Sequence, residues 1–460
     1  MRPTDQSLKP IAVIGAGATG LAAAYQLTRL GRRVLLFEAS SRVGGAVRTE
    51  LTDGWLIEAG PNTLHESHHE TRALISELAL ENERVLASPA AKNRYIVRDG
   101  KLRAAPMSPF DLWSTELFSA RTKRKLVSEL WAKPQDRGND VALAELITAH
   151  FGQEVTDYAL NPIVSGIFAG DPTRLSTQHT FPQLLEFEKT HGSIIRGQRA
   201  QSKARKARGE GTSHIVSFRH GLQSLVNALA HRLRPGSIVL NATVENIRTA
   251  LGAPWRVTWT QNDARQTEEF GAVVLALPAE ALAKITFDSD ARRPLAVLGE
   301  VLHPPLASLF LGFRREQIAH PLDGYGVLIP AVEKRGVLGV LFSSTLFPNR
   351  APTGHVALTV MAGGSLHPEI SRSSETDVRS SILAELRQLL GITGEPVFFR
   401  HNHWPRSIPQ YELGYERFKD AIETCEQSYG GLYIGGQARN GISLQSCLRA
   451  GLTLGEKAAR

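Results

Sequence analysis

Ile11-Ala12-Val13-Ile14-Gly15-Ala16-Gly17-Ala18-Thr19-Gly20 carries the pattern that decides the fold. Four apolar residues make a short buried strand. Gly15, Gly17 and Gly20 follow at GxGxxG spacing, and Leu21-Ala22-Ala23-Ala24-Tyr25-Gln26-Leu27 continues as a helix. A second strand, Arg33 to Phe37, ends at Glu38. This is the order that a dinucleotide-binding βαβ unit requires. Gly15 permits the tight turn, Gly17 lets backbone approach a pyrophosphate, and Gly20 lets the helix pack close to the strand. Ala18 and Thr19 open the helix, whose unpaired N–H groups face the phosphates. Glu38, followed by Ala39, stands where a carboxylate accepts both ribose hydroxyls of an adenosine.

That unit alone does not separate NAD from FAD, but the next residues do. Arg42-Val43-Gly44-Gly45-Ala46-Val47-Arg48-Thr49 is a second glycine turn placed directly after the carboxylate. Gly44 and Gly45 let the backbone run beside a long cofactor, with Arg42 and Arg48 as cations; Arg48 can meet a phosphate or the flavin ring. The stretch resembles the second FAD contact of the flavin amine oxidase-like superfamily, so FAD is the expected cofactor. Further contacts are expected from the Gly60-Pro61-Asn62 turn that follows a strand ending at Glu58, and from Val244 at the end of a later strand. Near the C-terminus, Gly435-Gly436 closes a strand and Ile442-Ser443-Leu444 opens the last helix. Its first N–H groups would face the flavin's pyrimidine side and favour a reduced, anionic flavin.

At 460 residues the chain needs two or three domains, and 42% hydrophobic with 21% charged residues is a globular balance. No apolar run has the length of a membrane-spanning helix. The first ten residues carry no signal-like apolar core, which leaves little room for a targeting peptide. Two cysteines, Cys425 and Cys447, do not make a disulfide framework and suit a reducing compartment, so a cytoplasmic location is expected. The net charge of +8 is unevenly spread. Residues 92–137 hold an excess of basic side chains, and a second cluster comprises Arg196, Arg199, Lys203, Arg205, Lys206 and Arg208. A solvated basic face explains both, and no recognition module accompanies them, so nucleic acid is not an expected partner. His65, His68 and His69 lack supporting ligand spacing, so no metal is expected.

Taken along the chain, 94–102 reads as a hairpin with an Asp99-Gly100 turn. Residues 109–118, 122–131, 141–150 and 153–161 have helical period, with Trp113, Leu117, Phe118 and Trp131 beside basic residues. Residues 163–172 read as a glycine-interrupted turn and 192–211 as an exposed loop. Residues 218–233 read as a helix, and 237–244, 255–259 and 271–278 as strands that return to the first architecture. Residues 306–363 are β-rich, with strands expected at 308–313, 326–329, 337–343 and 355–361. The fold class is therefore α/β, with a discontinuous Rossmann-type FAD-binding domain from 1–85, 212–285 and 400–460. A mainly antiparallel β substrate domain is expected at 286–399 and an α-helical domain at 92–211.

Several stretches together resemble the protoporphyrinogen oxidase family, nearly end to end. They are Asn93-Arg94-Tyr95, Ser165-Gly166-Ile167-Phe168-Ala169-Gly170-Asp171-Pro172, Thr190-His191-Gly192-Ser193-Ile194-Ile195, Gly336-Val337-Leu338-Gly339-Val340-Leu341, Thr359-Val360-Met361-Ala362-Gly363-Gly364 and Pro409-Gln410-Tyr411-Glu412-Leu413-Gly414. The resemblance implies FAD-dependent, oxygen-dependent oxidation of protoporphyrinogen IX to protoporphyrin IX in haem biosynthesis, by three hydride transfers with three hydrogen peroxide formed. It implies that the helical domain faces an anionic membrane surface at the periphery, and allows hand-off to ferrochelatase and a homodimer. By the same resemblance, Arg94 pairs with a substrate propionate. Tyr325, Gly326, Leu328, Leu341 and Met361 line the macrocycle pocket, with Gly166 and Phe168 beside it. Tyr325 stands where phenylalanine is familiar, and Ser165 where some members carry arginine. The substrate segments offer no convincing general base, and the product imine can lose its pyrrole proton to water. Coproporphyrinogen III oxidation is the alternative activity, and another amine oxidase-like reaction or a sugar mutase a more distant one. A pocket with few cations between 324 and 364 leans toward protoporphyrinogen, which has fewer propionates.

Overall fold

The computed structural model describes residues 9–138, 140–208, 213–250, 253–287 and 292–460. Its nucleotide-type unit is a five-stranded parallel sheet ordered Ile238–Val239, Val34–Phe37, Ile11–Ile14, Ala272–Leu275, Leu432–Ile434. The central strands are apolar at every position because helices or a second sheet cover both faces. On one face lie the helices Ala18–Arg29 and Leu444–Ala459. These two come close because Gly451 and Gly455 sit at the crossing, where a Cβ on Gly451 would stand 2.2 Å from the Thr19 carbonyl oxygen. On the other face lies a four-stranded sheet that brings Trp259 to 4.8 Å and Phe270 to 5.9 Å from the Phe37 ring.

The second large sheet has seven strands, ordered Phe398–Trp404, Leu306–Arg314, His355–Gly363, Val337–Leu341, Gly324–Leu328, Asn93–Arg98, Lys101–Ala104. All neighbours are antiparallel except Gly324–Leu328 with Asn93–Arg98. Side chains alternate between its faces. Leu309, Leu311, Phe313, Val327, Val340, Leu358 and Val360 form a core with the helix Glu375–Leu390. The opposite face carries Arg94, Ile96, Leu306, Leu328, Met361 and Trp404.

The expected division placed the 94–102 hairpin with the helices and began a nucleotide segment at 400. Hydrogen bonding instead puts both the hairpin and Phe398–Trp404 in the seven-stranded sheet. Pairing between strands so far apart in sequence leaves no local mark. The boundary expected at 211/212 and residues 1–8 lie outside the described residues.

Between Ala120 and Ala207 the chain is mainly helical. Two stretches there differ from expectation. Residues 163–168 continue the helix Asn161–Phe168, which stops where Ala169 turns left-handed at φ 51°. Much of the expected 192–211 loop is the helix Ile194–Ala207, started by the Ser193 hydroxyl, which accepts the Arg196 N–H at 3.0 Å. It buries only Ile194 and Gly197, so its amphipathic signal is faint. Residues 209–211 of that stretch lie outside the described residues. Farther on, 218–233 begins as the end of the strand His214–Phe218 before the helix Gln223–His231. Residues 237–244 divide at Asn241, φ 53°, into strands of two different sheets.

Candidate active site

The phosphate turn is closed by the second glycine turn. The Gly44 N–H donates to the Ala16 carbonyl at 2.8 Å, and Gly17 bridges Gly44. Gly15 and Gly44 take φ of 98° and 107°, so side chains would be strained there. At Gly20 a Cβ would stand 1.8 Å from the Gly15 oxygen, so the helix could not seat. At Gly17, by contrast, a Cβ would meet no protein atom within 4 Å. Gly17 thus faces open space at a helix N-terminus.

Glu38 is oriented before any ligand arrives. Its carboxylate accepts the Ala16 N–H at 2.8 Å, the Ser40 N–H at 2.9 Å and the Ser40 hydroxyl at 2.8 Å. The Asn241 N–H reaches the Ser40 oxygen at 3.0 Å and the Ala242 N–H the Glu38 oxygen at 2.9 Å, which brings Val244's strand alongside Glu38, Ala39 and Ser40. The two nearby cations are engaged within the protein. Arg42 donates to the Val43, Gly45 and Val47 carbonyls, which the turn leaves without helix or sheet partners. Arg48 pairs with Glu50. At the far end, the Gly435 N–H donates to Leu275 at 3.0 Å and the Gly436 N–H to the Asn440 side chain at 3.0 Å. Ser443 caps the last helix by accepting the Ser446 N–H at 3.0 Å, with Ile442 before it and Leu444 buried behind it.

Residues 59–62 join this site to the seven-stranded sheet. Gly60 lies against the second glycine turn, since a Cβ there would stand 1.9 Å from the Ala46 oxygen. Asn62 donates back to the Gly60 carbonyl at 3.2 Å, across Pro61. The Ala59 carbonyl accepts the Trp404 indole N–H at 3.0 Å. Trp404 was not legible as a site residue, although a tryptophan ending a strand before a proline needs an acceptor for its indole. Glu58 is enclosed within the protein. It receives the Thr49 hydroxyl at 2.7 Å, the Leu222 N–H at 2.9 Å and the Arg350 guanidinium at 3.2 Å. Burial raises its pKa, and the Arg350 cation opposes that rise.

On the sheet's open face the sequence-expected substrate residues largely converge. Gly326 pairs with both Arg94 and Leu341. Gly166 touches Leu328, where a Cβ would come within 2.7 Å of its Cδ2. Met361 and Trp404 both pack against the cluster of Ala169, Leu306 and Leu338. Arg94 is exposed, its guanidinium 5.5 Å from the Tyr325 ring centroid and 3.8 Å from the Met107 sulfur. Among the described residues no carboxylate pairs with it. Burial raises the Tyr325 phenol's pKa, with Thr63 and Arg94 opposing. Phe168 does not join this group through its ring, which is buried in the helical core 5.9 Å from Phe181. Its carbonyl accepts the Gln410 amide at 2.8 Å. Among the described residues no group of His, Cys, Asp and Glu could hold a metal.

A dinucleotide turn sealed by a second glycine turn and joined through residues 59–62 to a seven-stranded sheet fits a flavin-binding enzyme, and comparison with known proteins agrees. The family model for flavin containing amine oxidoreductase matches residues 18–454. Mitochondrial protoporphyrinogen oxidase of Nicotiana tabacum is 34% identical over 97% of this chain and 94% of its own. Coproporphyrinogen III oxidase of Bacillus subtilis is 27% identical over 96% of each. A crystal structure from Exiguobacterium sp., provisionally assigned as a protoporphyrinogen oxidase, superposes with TM-score 0.82 at 24% identity, covering 98% of each chain. The chain belongs to the protoporphyrinogen oxidase family of flavin containing amine oxidoreductases, and it is an FAD-dependent oxidoreductase.

The residues present fit FAD. The open space at Gly17 admits a pyrophosphate, and the pre-aimed Glu38 carboxylate suits the ribose. Gly45 and Gly60 let the second glycine turn pack against the phosphate turn and against residues 59–62, since a Cβ at these positions would meet Gly17 and Ala46.

Proposed function

We propose that this enzyme oxidises protoporphyrinogen IX to protoporphyrin IX with dioxygen, a six-electron reaction of haem biosynthesis giving three hydrogen peroxide. The observation that carries the choice is Arg94, a cation without a carboxylate partner among the described residues, on the sheet face where Ile96, Leu306, Leu328, Leu338 and Met361 form apolar clusters. Such a face suits a macrocycle with propionates along one side only. Arg94 binds a propionate, and Leu328, Leu341 and Met361 exclude water and orient the ring. Bound FAD supplies the two-electron oxidation, repeated three times. The pyrrole proton leaves to water.

Coproporphyrin formation from coproporphyrinogen III is the second reading, favoured by the full-length likeness to the Bacillus subtilis enzyme. Porphyrin fluorescence from each porphyrinogen supplied alone distinguishes them.

We also infer peripheral contact of the helical region with an anionic membrane from the inside of the cell. Met107, Phe110, Trp113 and Trp131 are exposed there, by 61%, 80%, 59% and 72%, beside Lys123 and Arg124. This supports an interfacial helix rather than a spanning one. Among the described residues no helix is long and apolar enough to cross a membrane. Hand-off to ferrochelatase and a homodimer rest on the family resemblance.

A further inference from the structure

We propose that Arg350 and Trp404 are positioning residues that fix residues 59–62, the turn facing the flavin site, against the substrate face of the seven-stranded sheet. The strand Trp55–Glu58 already lies on that sheet. Trp55 stacks at 5.4 Å from Phe398, and Trp55 and Ile57 share a core with Phe310 and Ala357. Where the chain leaves this contact, two bonds hold it. One is the Trp404 indole N–H to the Ala59 carbonyl, from the edge strand. The other is the Arg350 guanidinium to the Glu58 carboxylate, from the segment after Val337–Leu341.

Arg350 and Glu58 are 2% and 4% exposed. A buried ion pair adds little net stability over well-packed apolar residues, but it holds its partners at a fixed separation. Here every neighbour reinforces that separation. Arg350 also donates to Ser217 at 2.6 Å, while Thr49 and Leu222 complete the shell of Glu58.

Movement of 59–62 cannot stay local. The Ala59 N–H donates to the Arg48 carbonyl at 2.9 Å, Gly60 rests on Ala46, and Gly44 is bonded to Ala16 of the phosphate turn. Trp404 also packs on the cluster of Ala169, Leu306 and Leu338 that Met361 covers. One side chain therefore touches the pocket wall and holds the flavin-side turn. The two bonds set the separation between the surface that holds the substrate and the backbone that runs beside the flavin. The consequence for substrate oxidation rests on the function proposed above.

The test uses FAD-loaded Trp404→Phe, Arg350→Met and the double variant Glu58→Gln with Arg350→Met. Visible circular dichroism of the bound flavin is read without substrate, together with thermal unfolding. Flavin bleaching by protoporphyrinogen IX is then followed anaerobically, and reoxidation by dioxygen separately. Arg350→Met alone loses stability, because Glu58 is left buried and unpaired. The double variant should regain wild-type thermal stability yet keep an altered flavin dichroism and bleach about 10- to 100-fold more slowly. Trp404→Phe should do the same with reoxidation unchanged, and Arg350→Lys should recover part of the rate. Wild-type dichroism and bleaching in both the double variant and Trp404→Phe would overturn the proposal. If wild-type protein is not bleached by the porphyrinogen, the proposed function fails, while dichroism still decides the positioning role.

Discussion

The guanidinium of Arg94 sits over the ring of Tyr325, its central carbon 5.5 Å from the centroid. The aromatic face holds the cation without neutralising it, so the charge remains available to an incoming carboxylate. Replacing Arg94 by alanine should raise KM about 10- to 100-fold, the loss expected for one charge-assisted hydrogen bond. FAD content, read from flavin absorbance per protein, should not change. Loss of FAD with the variant would remove Arg94 from the substrate side.

Gly17 and Gly20 belong to one motif but do different work. Gly17→Ala meets no protein atom, so apo-protein stability should match wild type while FAD affinity falls at least about 10-fold through crowding of the bound phosphates. Gly20→Ala drives a Cβ into the Gly15 carbonyl and should destabilise the fold itself by about 1–3 kcal/mol or more. Flavin titration and thermal unfolding of apo-protein separate the two effects. Equal unfolding of both variants would contradict the open cradle at Gly17.

His150 is buried between two carboxylates, Glu129 at 2.9 Å from Nδ1 and Glu188 at 3.0 Å from Nε2. Burial lowers its pKa, but the two carboxylate bonds outweigh that and raise it above the usual 6.5. Arg137 on Glu188, and Ser193 with the Ile194 N–H on Glu129, hold the acceptors in place. A raised pKa contributes stability that is full below about 6.5 and is lost as pH rises through the folded value. His150→Gln should cost about 3–5 kcal/mol at acidic to neutral pH and flatten the alkaline decline of thermal stability. A parallel decline in wild type and variant would exclude the imidazole as its source.

Membrane contact through the exposed aromatic side chains makes a simple expectation. Sedimentation with phosphatidylglycerol vesicles at low salt should fall for Phe110→Ser combined with Trp113→Ser, with FAD content unchanged. Undiminished sedimentation of that variant, or none of wild type, would refute this surface as the contact.

Local signals were readable where they act locally. The GxGxxG turn, Glu38, the paired glycines at 44 and 45, and the Asp99-Gly100 hairpin turn each impose a backbone geometry on their own neighbours, and each stands where expected. The pairing of Asn93–Arg98 with Gly324–Leu328 was not readable, because register between remote strands depends on the assembled sheet. Glu58 was legible only as the end of a strand before Gly60-Pro61, and its buried partner Arg350 lies 292 positions away. The helix Ile194–Ala207 was hidden by a composition that buries almost nothing. Phe168 was placed beside the pocket by the family resemblance. The helix that carries it aims Gly166 at Leu328 and turns Phe168 into its own core, as residues two apart on a helix do not face the same way.

Porphyrin fluorescence in air tests the central claim most directly, with purified FAD-loaded protein given protoporphyrinogen IX and coproporphyrinogen III separately. The expected result is faster formation of protoporphyrin IX, with hydrogen peroxide accumulating at three per porphyrin and a strong loss of rate in Arg94→Ala at low substrate. Faster coproporphyrin formation would contradict the substrate assigned here while leaving the fold and cofactor in place. Fluorescence from neither, with flavin bound, would contradict porphyrinogen oxidation itself.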